Sequence, residues 1–187
     1  LDLVRIMRAN LKLLVLAALI GTLLAAGYTL TRPTLYSASS TAQVIAGNSI
    51  DANSAVLSQQ LWTGRAGYYA QRARSSGVAN RIAEESKGSL RAGEFSVVGA
   101  SGEGTATLTL TASAATPAKA QRAADLARTA LADEAKYLET VGTEAKTSVY
   151  RVFPLTAAAR PSAPSSPNWK RNLMAGAAIG LLAGIVL

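Results

Sequence analysis

The side chains that most often carry chemistry are sparse in this sequence. Its 187 residues include no histidine and no cysteine. That removes the commonest general base, the Ser-His-Asp arrangement, the usual zinc ligand, thiolate metal sites and any disulfide framework. The 11 Asp and Glu residues could still bind a hard cation or work in pairs, so catalysis is disfavoured rather than excluded. The glycine-rich stretch Gly99-Ala-Ser-Gly102-Glu-Gly104 lacks the lysine that a phosphate-binding loop requires. No residue is therefore assigned to catalysis, to a metal or to a cofactor. Lys and Arg total 19, for a net charge of +8, a balance that suits nucleic acid, anionic lipid or an acidic polymer. The basic residues are scattered, with no run longer than Lys170-Arg171. Nucleic-acid readers show basic clusters with interleaved aromatics, so nucleic acid is not expected as a partner.

Two apolar segments frame the chain. Leu13 to Leu30 is 18 residues without a charge, and Thr31 extends it. At a rise of about 1.5 Å per residue it reaches about 27 Å, enough for a bilayer's hydrocarbon core. Arg5, Arg8 and Lys12 precede it and Arg32 follows. A cleaved signal peptide has a similar start, but this run is long for one and no small-residue cleavage site follows before Arg32-Pro33. A retained span is the expectation. The second run, Leu173 to Leu187, carries Gly176, Gly180 and Gly184; the first carries Ala17, Gly21 and Ala25 at the same spacing. Residues four apart share a helix face, and small ones let a second backbone come close. The alternative is that small residues are simply common in membrane helices. The basic N-terminal flank favours cytoplasmic ends, Lys170-Arg171 argue the other way, and a connection of about 140 residues weakens both counts. The reading adopted places the intervening domain outside the cytoplasm. The chain starts at Leu1 rather than Met and stops inside an apolar run, so both ends are expected to be incomplete.

Between the spans the hydrophobic period changes several times. Tyr36 to Ala46 alternates as a half-buried strand closed by Gly47-Asn48. From Asp51 to about Ser76 the period becomes helical, with Leu57, Leu61, Gly64 and Tyr68 on one face. Gly77 punctuates, and Val78 to Lys87 reads as a short helix with Val78 and Ile82 inward. Phe95, Val97 and Gly99 begin a strand, and Thr105 to Ser113 alternates Ala106, Leu108, Leu110 and Ala112 with hydroxyls, a strand wet on one face. Thr116-Pro117 starts a helix to about Val141, with Gly142 as its stop. Its stripe is Ala120, Ala123, Ala127, Leu131, Ala135 and Leu138. Val149, Arg151 and Phe153 suggest a last strand. The order predicts an α+β domain, a small mixed sheet with helices, one of them long.

Pro161, Pro164 and Pro167 fall three apart before Trp169-Lys-Arg171. Three residues make one turn of a polyproline II helix, so the three would line one edge of a semi-rigid strut. A plain linker is the simpler alternative, and a ligand for a proline-binding domain is less suited to a membrane surface. Trp169 and the two cations fit the headgroup zone.

The Ala-x-Pro-x-x-Pro-x-x-Pro-Asn run before the second span resembles the proline motif of Wzz-type chain-length determinants, the polysaccharide co-polymerases. Leu1-Asp2-Leu3 with its basic flank, Thr31-Arg-Pro33-Thr-Leu-Tyr36-Ser-Ala38, and Thr-Leu108-Thr-Leu110-Thr before Thr116-Pro117-x-x-Ala120 resemble further motifs of that family, in its order. The loop is short for the family and resembles its Gram-positive or actinobacterial type. The resemblance implies an inner- or plasma-membrane ring of subunits, with the octamer among the ring sizes, that sets the modal length of O-antigen, capsule or exopolysaccharide made by a separate polymerase. It implies contact with the polymerase, the polysaccharide chain and membrane lipid, and for some members a cytoplasmic tyrosine autokinase, in cis beyond Leu187 or in trans. The residues shown are not expected to be an enzyme. Arg65, Arg72, Arg74 and Arg81 could touch acidic glycan, or form a solvated or inter-subunit ion-paired face. The other reading is an extracytoplasmic sensor domain of a two-span receptor or kinase. Such a domain needs a pocket with convergent polar groups, and no aromatic or charged cluster marks one. The expected division is a cytoplasmic flank (1–12), a first span (13–31), the α+β domain (32–158), the proline-rich segment (159–171) and a second span (172–187).

Overall fold

The computed structural model describes residues 11–46, 55–141 and 150–186. In chain order the elements are α1 (Leu11–Leu30), β1 (Tyr36–Ala46), α2 (Ala55–Arg72), α3 (Ser76–Glu85), β2 (Phe95–Ser101), β3 (Thr107–Ala114), α4 (Pro117–Thr140), β4 (Tyr150–Thr156) and α5 (Trp169–Val186). They fall into two units: Leu35–Pro164, and the flanking residues Leu1–Thr34 with Ser165–Leu187.

The strands of the central unit form one sheet in the order β2-β3-β1-β4. All three neighbouring pairs are antiparallel, which corrects the expectation of a mixed sheet. β1 and β2 do run the same way, but β3 lies between them; β3 and β4 also agree, with β1 between. Each helical crossover therefore skips one strand, and two such split units interlock into a ferredoxin-like β-α-β-β-α-β topology.

Strand β3 shows how the sequence sets this register. Leu108, Leu110 and Ala112 are fully buried on one face. On the other face Ser113 meets Ser37 at 2.8 Å and Thr111 meets Ser39 at 2.9 Å, cross-strand pairs fixed by the pairing of Tyr36 with Ala114 through Gln43 with Thr107. A slip of one residue would put every leucine into water. The β2–β3 turn is closed by Gly104 at φ 65, a left-handed backbone that glycine adopts without penalty.

Helix α4 begins where the capping pattern predicts. The Thr116 hydroxyl accepts from the Lys119 N–H at 3.3 Å, with Pro117 in the first turn. Ala120, Ala123, Ala124, Ala127, Ala130, Leu131 and Ala135 are all buried. Alanine carries little area, so its value here is proximity: the Ser40 hydroxyl of β1 donates to the Ala124 carbonyl at 2.6 Å, across the sheet–helix interface. At the far end of the unit, Ala158 N–H donates to Asp125 at 2.8 Å and the Gln121 amide donates to the Ala158 carbonyl at 3.1 Å. These two bonds pin the chain that leaves β4 onto α4.

Two local expectations change, in α2 and at Gly77. The Leu61, Gly64 and Tyr68 face of α2 points outward, with Leu61 57% and Tyr68 43% exposed; the side chain of Leu57 lies outside the described residues. Ala66, Tyr69, Ala70 and Ala73 are buried instead, and the closest approach to the sheet is at Ala70, where a Cβ on Gly99 would lie 2.8 Å from Ala70 Cα. Gly77 does not separate the two helices. The chain turns at residues 73–75, and the Ser75 hydroxyl caps α3 by accepting from Val78 N–H at 3.3 Å; Val78 and Ile82 face inward. In β4 the inward side chain is Val152, while Arg151 and Phe153 face out. Pairing of Val152 with Val44 and of Phe153 with Gln43 fixes that facing. Gly47-Asn48, Asp51, Gly142 and Val149 lie outside the described residues.

Candidate interaction surfaces

In the flanking unit α1 and α5 pack antiparallel through their small residues. A Cβ on Gly21 would fall on the Gly176 carbonyl oxygen and 3.0 Å from Gly180 Cα. One on Gly176 would collide with Ala25 and Gly21, one on Gly180 with the Ala17 carbonyl, and one on Gly184 would lie 2.9 Å from Ala17 Cβ. The two small-residue ladders, Ala17-Gly21-Ala25 and Gly176-Gly180-Gly184, are thus in mutual backbone contact. Asn172 donates to Thr29 at 3.1 Å where the seam ends. The large side chains point the other way: Leu23 and Leu24 are each 70% exposed and Met174 74%. This is the arrangement expected of helices solvated by lipid, with small residues between them. Helix α1, 20 residues at a mean hydropathy of 2.2, is long and apolar enough to cross a membrane. Helix α5 opens with Trp169-Lys-Arg-Asn172 and does not meet that measure among the described residues. At the end of α1, the Arg32 guanidinium lies 4.5 Å from the Tyr28 ring centroid and donates to its hydroxyl.

In the central unit, three of the four arginines singled out from sequence have partners. Arg72 meets Glu134 Oε1 at 2.7 Å and Arg81 Nε meets Glu134 Oε2 at 3.3 Å. Arg65 meets Glu139 Oε1 at 3.3 Å and lies 5.1 Å from the Tyr150 ring centroid. The Tyr69 hydroxyl donates to the same Glu139 oxygen at 2.7 Å. Burial first, and then this bond to a carboxylate, push the Tyr69 phenol above its usual range. Glu134 is buried on the alanine stripe of α4 at 6% exposure, and a Cβ on Gly77 would already sit 3.4 Å from its oxygen. The two carboxylates of α4 therefore hold α2 and α3 in place. Arg65, Arg72 and Arg81 each pair with a carboxylate of α4. Arg74 is exposed and forms no ion pair among the described residues. Sequence reasoning missed Glu134 and Glu139, although a charge set between Leu131 and Ala135 on an apolar stripe is itself a signal of a buried partner.

Pro161 and Pro164 lie in the central unit, and Pro167 belongs to the flanking unit. The chain bends at Ser162-Ala163, and the Ser166–Pro167 peptide is cis.

Residues 1–84 match the family model of Wzz, the chain length determinant protein. This stretch is Wzz-like. It takes in α1, β1, α2 and nearly all of α3, and it includes the Thr31 to Ala38 motif; the proline run and the α5 glycines lie beyond it. No curated protein matches the chain. A solved structure, a full-length bacterial polysaccharide co-polymerase, is similar at 10% identity over 98% of this chain and 94% of that one, with a TM-score of 0.47.

Proposed function

We propose that this protein is a polysaccharide co-polymerase that regulates the chain length of a surface polysaccharide as a membrane ring of identical subunits. The observation that carries this reading is the Wzz match over residues 1–84. In this reading both α1 and α5 span the plasma membrane, the central unit is extracytoplasmic and the two ends are cytoplasmic. The lipid-suited exterior of the α1–α5 pair supports the two-span arrangement. The residues shown perform no bond chemistry themselves in this reading; the lack of histidine and cysteine accords with that role. It works by geometry, holding polymerase and growing glycan together for a time set by the ring. The uncovered Leu61 and Tyr68 side of α2 supplies apolar surface for a neighbouring subunit. A polymerase and, for the full protein, a cytoplasmic tyrosine autokinase are the further partners.

The experiment is the mass of the protein in lipid nanodiscs, by native mass spectrometry or particle imaging. A closed ring of many subunits is the expected result. A monomer or simple dimer would overturn the ring mechanism and favour a sensor domain.

A further inference from the structure

Arg74 stands apart from the other three arginines: among the described residues it pairs with no carboxylate, and an open groove lies beside it. The groove has a volume of about 660 Å³ and is lined by Gly67, Gln71 and Arg74 on one side and by Gly99, Ala100 and Ser101 of β2 on the other. Two glycines shape it. A Cβ on Gly99 would lie 2.8 Å from Ala70 Cα, so only glycine lets α2 rest directly on the strand. A Cβ on Gly67 would meet nothing nearer than Ser101 Oγ at 3.9 Å, so the space over Gly67 is open. Among the described residues strand β2 is an edge that pairs with β3 alone, so its outer backbone N–H and C=O groups have no strand partner there.

We propose that this groove binds an acidic sugar residue of a glycan, a reading that rests on the polysaccharide function proposed above. The guanidinium of Arg74 offers a planar fork that suits a carboxylate. The Gln71 amide, the Ser101 hydroxyl and the edge backbone offer donors and acceptors for sugar hydroxyls. The lining holds no aromatic ring to stack on a neutral sugar, so selectivity comes from charge and falls with salt. It also holds no large apolar side chain to seat a peptide.

The test uses the full chain in nanodiscs, titrated with hexagalacturonate and, as a neutral probe, maltohexaose. Hexagalacturonate is expected to bind at least tenfold more tightly than maltohexaose and to weaken as salt rises. Arg74→Gln lowers that affinity tenfold or more, and Arg74→Lys restores part of it. Gly67→Leu, which places a side chain in the open space, abolishes binding without touching a charge. Arg151→Gln, the same charge change on the exposed face of β4, leaves binding unaltered. Equal binding of the neutral probe, equal losses in Arg74→Gln and Arg151→Gln, or wild-type binding by Arg74→Gln and Gly67→Leu would each overturn the proposal. Protection of a Ser101→Cys probe in the assembled protein without any saccharide would give the β2 edge to a second copy of this chain and overturn it as well. Unchanged binding in the variants, with glycan length still dependent on the protein, removes the groove alone. Glycan length independent of the protein removes the wider reading.

Discussion

Glu134 is the residue on which the helical layer turns. Its carboxylate is buried while Arg72 and Arg81, its two partners, keep 37% and 34% of their side-chain area in water. The pairing therefore lies between an exposed ion pair, worth little, and a fully buried one. Glu134→Ala should lower stability by about 2 kcal/mol, since two arginines lose their counter-charge at a half-buried site. Thermal unfolding of the nanodisc-held protein checks this, with Lys119→Ala as the comparison. Lys119 pairs with Glu94 at 2.7 Å at the surface, and its loss should change little. An Ala variant of Glu134 as stable as wild type would remove the latch from the account. None of this was legible residue by residue. Arg72 and Glu134 are 62 positions apart, and a sequence pattern reports periodicity within an element, not which charges meet across elements. The basic residues were visible; their counter-ions were not.

At the scale of elements, β1, β3 and α4 were the most legible. β3 alternates strictly and β1 does so apart from Ser40 and Ile45, while α4 announces itself with Thr116-Pro117 and a stripe of alanines. Helix α2 was readable as a helix but not in its facing. Large apolar side chains usually mark the buried side, whereas here close packing on the sheet selects Ala66, Ala70 and Ala73 and leaves Leu61 outside. The mixed sheet failed for a related reason: connection lengths say that a crossover exists, not which strand it skips. The two small-residue ladders could be read as helix faces, and the structure sets them against each other. Gly180→Leu should therefore separate α1 from α5. In this cysteine-free chain, paired cysteines at Thr29 and Asn172 joined by a short bismaleimide give the readout. Cross-linking should fall several-fold in Gly180→Leu and stay unchanged in Gly27→Leu, because nothing lies within 4 Å of a Cβ at Gly27. Equal yields in both would contradict backbone contact along this seam.

The whole molecule comprises a ferredoxin-like unit and a helix pair with small residues in its seam and large apolar residues outside. Under the proposed co-polymerase function, the work would be done by assembly and by weak contact with a long polymer. Many shallow sites such as the Arg74 groove, repeated around a ring, would hold a chain by effective concentration even if each binds weakly. How long the chain stays engaged would then set how far it grows. The most direct measurement is the length distribution of the surface polysaccharide, resolved on gels, from cells with the gene intact, deleted and restored. The account predicts that deletion replaces a modal length with a broad or shifted distribution and that the restored gene recovers the mode. A distribution unchanged by deletion would contradict it.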